Sequence, residues 1–135
     1  MQGFEIVDHT ADWAIRVTGR SLADLLVNAA AGMNSLLVGD LAVIPRAETR
    51  QLALAADDAE TLLVDWLTEL AYWAEMEQRV FPDVQLSLMP PFALQATLQG
   101  GRAPELQKHI KAVTYHDLAV VETAEGLETT IVFDV

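Results

Sequence analysis

Leu62-Leu63-Val64-Asp65-Trp66-Leu67-Thr68-Glu69-Leu70-Ala71-Tyr72-Trp73-Ala74 is the stretch whose periodicity decides the fold. Leu62, Leu63, Trp66, Leu67, Leu70, Trp73 and Ala74 recur at three- and four-residue spacing, which gathers them on one stripe of a helix, while Asp65, Glu69 and Glu75 fall away from it. A helix with a single apolar stripe must lie on another element. Trp66 and Trp73 belong to that stripe, so core packing explains both without a cofactor for them to stack on. Ahead of the run, Asp57 and Glu60 have the spacing of a capping box.

Upstream, a second helix of the same kind is expected over residues 22–37, with Leu22, Leu25, Leu26, Ala29, Met33, Leu36 and Leu37 on its apolar face. Ser21 opens it with Asp24 at the third helical position, and Gly39-Asp40 ends it. Around these helices the pattern switches to alternation. Residues 4–9, 13–19, 48–55, 80–88 and 92–99 read as strands, the last two joined across Met89-Pro90-Pro91. The run 110–121 is strand-like as well, with Val113, Tyr115, Ala119 and Val121 on one face and Ala112, Thr114, His116, Leu118 and Val120 on the other. Glu125-Gly126 offers a hairpin turn into a last strand over 127–133. Two helices are too few for the crossovers of a parallel doubly wound sheet. The expectation is one α+β domain over residues 1–135, a two-layer sandwich with both amphipathic helices on one face of a mainly antiparallel sheet.

Composition removes several function classes. Acidic residues number 20 against 8 basic ones, a formal charge of −12, and such a field repels phosphate backbones. Strong direct nucleic-acid binding is therefore not expected. The absence of cysteine excludes disulfides, thiolate metal sites and cysteine nucleophiles and suits a reducing cytoplasm, where the chain is expected to reside. Its apolar stretches all break well short of the ~20 residues of a membrane span, so no membrane association is expected. No phosphate loop, dinucleotide fingerprint, nucleophile elbow or His-Glu-x-x-His pair is present. The one locally basic stretch, Arg102, Lys108, His109 and Lys111, fits a solvated loop, or else a contact with a phosphate or an acidic partner.

Carboxylates supply the candidate chemistry. Asp134 stands one position from the terminal Val135, so its side chain and the α-carboxylate of Val135 offer two oxygen-ligand groups from one strand end. Asp12, in the connection His9-Thr10-Ala11-Asp12 between the first two strands, would make a third. Three convergent carboxylates repel one another unless a cation or shared protons neutralise them, and hard cations favour such all-oxygen sites. A strand-end Asp12 and a solvated Asp134 account for the same pattern without chemistry. His9, three residues before Asp12, can orient a carboxylate or cap the turn. His116 and Asp117, adjacent on a strand, would face opposite ways and make a poor catalytic pair, whereas Lys111, Val113, Tyr115 and Asp117 would share a face.

Taken together, five pieces resemble the archease family: His9-Thr10-Ala11-Asp12, Asn28-Ala29-Ala30-Ala31-Gly32-Met33, Leu62 to Leu70, Lys111-Ala112-Val113-Thr114-Tyr115-His116 and Phe133-Asp134-Val135. They fall in the family's order from end to end. The resemblance implies a non-enzymatic partner of the GTP-dependent RNA ligase that joins 3′-phosphate or 2′,3′-cyclic-phosphate ends to 5′-hydroxyl ends in tRNA splicing and RNA repair. Archeases promote guanylylation of that ligase and let it turn over repeatedly. The family's metal site, carried over by position, falls on Asp12, Asp134 and the carboxylate of Val135. The expected cofactor is a divalent cation, calcium in the isolated protein, with magnesium or manganese as alternatives. Lys111 and His9 are the candidate contacts to partner or nucleotide. Trp13 departs from the family's usual small aliphatic residue, and His109 stands where relatives often carry an acid. Two other readings compete: a small metal-dependent hydrolase with Asp12 and Asp134 holding the ion and His9 as base, and a chaperone-like adaptor domain that needs no metal.

Overall fold

The structure is a computed structural model that describes residues 3–8 and 13–135. The expectations placed on His9 and Asp12 therefore lie outside the described residues. Chain order is β1 (Phe4–Asp8), β2 (Trp13–Gly19), α1 (Leu22–Val38), a short 3-10 turn at Leu41–Val43, β3 (Glu48–Ala55), α2 (Ala59–Glu77), β4 (Arg79–Met89), β5 (Ala93–Arg102), β6 (Ala112–Val113), β7 (Val121–Thr123) and β8 (Gly126–Asp134).

Both helices start where side chains supply acceptors for their first free N–H groups. Ser21 Oγ accepts from Asp24 N at 3.2 Å, and the Asp24 carboxylate accepts from the N–H of the preceding Arg20 at 2.9 Å. In α2 the cap is Asp58, not Asp57: its carboxylate accepts from Thr61 N at 2.7 Å. That bond, with a further one from the Thr61 side chain, holds the Asp58 carboxyl below its ordinary value of 3.8. α1 stops at Gly39, whose φ of 76° suits a residue without a Cβ, and α2 stops at Gln78 in the left-handed conformation.

The fold is α+β with antiparallel strand pairs throughout, as the patterning implied. Its strands separate into two sheets. The larger has the order β1-β2-β8-β6, with β7 also paired to β8; the smaller has the order β3-β5-β4. β8 is the spine of the larger sheet, paired with β2 from Gly19↔Leu127 to Trp13↔Phe133 on one side and with β7 and β6 on the other. α1 packs on β1, β2 and β8 and also on β4, and α2 on β3, β4 and β6, so the helices join the two sheets through one continuous core. Trp66 is fully buried and donates its indole N–H to Leu26 O at 2.9 Å, which couples α2 to α1. Trp73 meets Phe81 edge to face at 5.4 Å, beneath the Arg50 guanidinium. Core packing thus accounts for both tryptophans of the deciding stretch.

The run 110–121 is not one strand. Only Ala112–Val113 and then Val121–Thr123 pair with β8. Between them Thr114 turns its hydroxyl to Val132 O at 2.9 Å, His116 N donates to Thr114 Oγ1, Leu118 N donates to Tyr115 O, and Asp117 adopts φ 50°. Local side-chain bonds and a left-handed residue bend the chain, which the alternation of apolar residues did not reveal. Lys111, Val113, Tyr115 and Asp117 consequently do not form one strand face. The same turn brings His116 Nε2 within 3.3 Å of Asp117 Oδ2, a pair that a strand would have kept apart. The final hairpin also shifts by one residue: Thr123 pairs with Gly126, so Ala124 and Glu125 make the turn and Gly126 opens β8 with φ 139°.

Candidate functional site

β2, β6 and β8 meet at one end of the larger sheet, and Asp134 sits there. Its placement follows from Phe133, which is fully buried and anchors the end of β8 in the core. Alternation puts the next side chain on the opposite face, that of the buried Val132, and at the end of the strand Asp134 is exposed. Its backbone is held by the register Ala112↔Asp134 and by the Lys111 N–H, which donates to Asp134 O at 2.7 Å. Among the described residues no basic side chain forms an ion pair with the Asp134 carboxylate. Val135 is half-buried and packs against the core, so the chain does not swing freely after Asp134.

Each of the four residues 108–111 makes a contact that pins the segment around this end. Lys108 extends over the Trp13 ring, with its ammonium 3.9 Å from the centroid. His109 Nδ1 lies 3.0 Å from Glu75 Oε2, and the other oxygen of Glu75 accepts from Ile110 N at 2.8 Å. Lys111, exposed, makes the backbone bond to Asp134 already described. Lys111 is therefore brought to the same strand end as Asp134. The basic stretch itself disperses: Lys108 turns to Trp13, His109 to α2, and Arg102 to Gln78 Oε1 at 3.4 Å.

Asp12 and His9 lie outside the described residues. Trp13, the residue after Asp12, is opposite Phe133, the residue before Asp134. Among the described residues no group of three or more His, Cys, Asp or Glu side chains is arranged to hold a metal ion. What the described residues offer at this strand end is an exposed Asp134 carboxylate with no ion-pair partner among them, the oxygen-donor type that hard cations favour. Sequence reasoning missed the Trp13–Lys108 contact. Trp13 stood out as an unusual residue beside Asp12, but nothing local assigns it a partner so distant in the chain.

A model of the Archease protein family matches residues 4–135. A protein archease of Methanosarcina barkeri is 31% identical over 140 residues, covering 98% of this chain and 95% of the relative. One from Saccharolobus islandicus is 34% identical over 140 residues, with both chains covered in full. The solution structure of a Methanobacterium thermoautotrophicum protein superimposes with a TM-score of 0.81 at 26% identity, over the whole of both chains. The crystal structure of a Thermotoga maritima archease, described as a possible chaperone, shares the fold with a TM-score of 0.68 at 24% identity over 96% of this chain and 94% of that one.

Proposed function

The chain belongs to the archease family, and from that premise we propose that it is a non-enzymatic activator of a GTP-dependent RNA ligase that joins 3′-phosphate or 2′,3′-cyclic-phosphate ends to 5′-hydroxyl ends. Its role is to promote guanylylation of the ligase and repeated turnover, in tRNA splicing or RNA repair. The observation that supports this reading is the exposed Asp134 carboxylate, held beside Lys111 at the end of a sheet and lacking a protein counter-ion among the described residues.

Asp134, the carboxylate of Val135 and Asp12 would hold a divalent cation, calcium in the isolated protein or magnesium or manganese in its place. When bound, that ion supplies concentrated positive charge to phosphate oxygens or to ligase carboxylates. The work of this chain is positional. Phe133 fixes the strand end, the Lys111 N–H fixes the backbone of Asp134, and Val135 packs against the core so that the carboxylates present one geometry. An acidic tip of this kind enters a basic, cation-rich active site, and the charge of −12 speeds the encounter. Lys111 contacts a nucleotide phosphate or a ligase carboxylate, and its ammonium tolerates either as a mobile point charge. No helix among the described residues is long and apolar enough to cross a membrane; the reading places the protein in the cytoplasm with its ligase.

The test is single-turnover guanylylation of the ligase with GTP and divalent metal, with native protein and with folded Asp12→Ala and Asp134→Ala variants. Acceleration by the native protein that both variants lose is the expected result. No acceleration at any metal concentration would remove the function.

A further inference from the structure

We infer that the outer face of α2, with the neighbouring edge at Ile110–Val113, is a docking surface for a basic protein surface that presents a large apolar side chain. α2 contains Glu60, Asp65, Glu69, Glu75 and Glu77 and no lysine, arginine or histidine. Three of these acids are engaged: Glu60 accepts from Val120 N, Glu75 from Ile110 N, and Glu77 pairs with Arg50 at 3.1 Å. Asp65 and Glu69 have no ion-pair partner among the described residues. They share the outer stripe with Tyr72 and Met76, which are 55% and 69% exposed. At the turn of an α-helix, those four side chains fall within an arc of about 60°. The stripe is therefore acidic and apolar together, and it is separate from the buried stripe that holds the fold.

A single exposed apolar residue needs no explanation, but two neighbours beside a concave apolar cleft do. The cleft runs between Thr68, Ala71, Tyr72 and Met76 on the helix and Ile110 and Val113 on the strand side, with a volume of about 230 Å³. That is below the ~300 Å³ at which small-molecule pockets begin. It suits one anchoring side chain from a protein partner, the usual centre of an interface hot spot. The unpaired acids and the charge of −12 select a basic partner and repel both nucleic acid and anionic lipid. β6 is the last strand in the order of the larger sheet, so this side of the cleft lies at a sheet edge. Lys111 also lines the cleft while its N–H binds Asp134 O, so docking there places a partner next to the strand end proposed above as the active tip.

This inference rests on the proposed function, because the partner put to the test is the RNA ligase. Ligase binding is measured by titration calorimetry with native protein and with Tyr72→Asp, Met76→Asp and Glu69→Lys variants, each checked by circular dichroism and thermal melting. Met76→Gln replaces Met76→Asp if the charge disturbs α2. The expected result is at least a tenfold weaker Kd for Tyr72→Asp and for the Met76 variant. A several-fold loss with a shallower salt dependence is expected for Glu69→Lys. Native protein that accelerates guanylylation while all groove variants bind the ligase as tightly as native would overturn the docking surface and leave the function standing. Native protein that neither binds nor activates the ligase would overturn both. A native dimer in sedimentation that the Met76 variant dissociates would assign the face to a second copy and overturn the ligase assignment.

Discussion

The smaller sheet turns the uncharged Gln51, Ala53, Gln85, Ser87 and Gln95 to solvent beside an Asp83 paired with Arg46, whereas the larger sheet ends in Asp134, Lys111 and the Lys108 ammonium laid over Trp13. Both are antiparallel and both pack on the same two helices. The difference is in where charge is exposed. Along the smaller sheet, alternation puts glutamines and Ser87 outward and leucines inward, and its charged side chains are largely paired: Asp83 with Arg46, Glu48 with Arg79 and Arg50 with Glu77. In the larger sheet β8 is paired on both sides and its last side chain carries a carboxylate that no basic group neutralises among the described residues.

That contrast can be broken most forcefully at Phe133. Truncation to alanine removes a fully buried ring from the end of β8 and is expected to cost about 3–5 kcal/mol in denaturant unfolding. The cation binding proposed for Asp134 should be lost with it, because the strand end loses its anchor. The matching perturbation of the smaller sheet is Gly100→Ala. A Cβ there would collide with the Val80 carbonyl oxygen, which is backbone and cannot swing aside, so a loss of about 1–3 kcal/mol is expected by thermal melting. Here cation binding by the folded fraction should equal that of the native protein. Equal effects of the two substitutions on cation binding would erase the functional difference between the sheets.

Smaller changes sharpen the comparison. Lys108→Ala removes the ammonium held 3.9 Å above Trp13 and is expected to cost about 0.5–1 kcal/mol, with a change in tryptophan fluorescence. The smallest effect is one of pH. The Thr61 backbone N–H, then its side chain, holds the Asp58 carboxyl below 3.8 in the folded protein. Its contribution is therefore fully present above the unfolded value of 3.8 and is lost as pH falls through the lower folded one. Asp58→Asn should flatten that part of the acid limb of the melting temperature without changing cation binding at neutral pH. A limb identical to that of native protein would show that the cap does not contribute.

Local sequence carried the helices because their chemistry is local. Ser21 and Asp24 cap α1, and the leucine stripes of α1 and α2 are the surfaces that are buried. The cap of α2 was misplaced by one residue because Asp57 and Asp58 are adjacent and only the backbone decides which one faces Thr61. The partition of strands into two sheets was not legible: the pairing of Trp13 with Phe133 joins opposite ends of the chain, and alternation carries no record of a partner. The run 110–121 failed for a different reason. Period-two spacing describes its apolar residues, but the Thr114 hydroxyl and the left-handed Asp117 set its path. Of the candidate site, a solvated Asp134 at a strand end was legible; the nearness of Lys111 depends on the pairing of β6 with β8, and the Lys108–Trp13 contact on tertiary structure alone.

Cation binding at the Asp134 strand end is the proposal to test first. Calcium titration calorimetry on the native protein, on Asp134→Ala and on Gln95→Ala from the smaller sheet, all with matched melting curves, tests it. One binding event in native protein and Gln95→Ala that is absent from Asp134→Ala is the predicted result. Calcium binding of equal strength in all three, or in none, would contradict it.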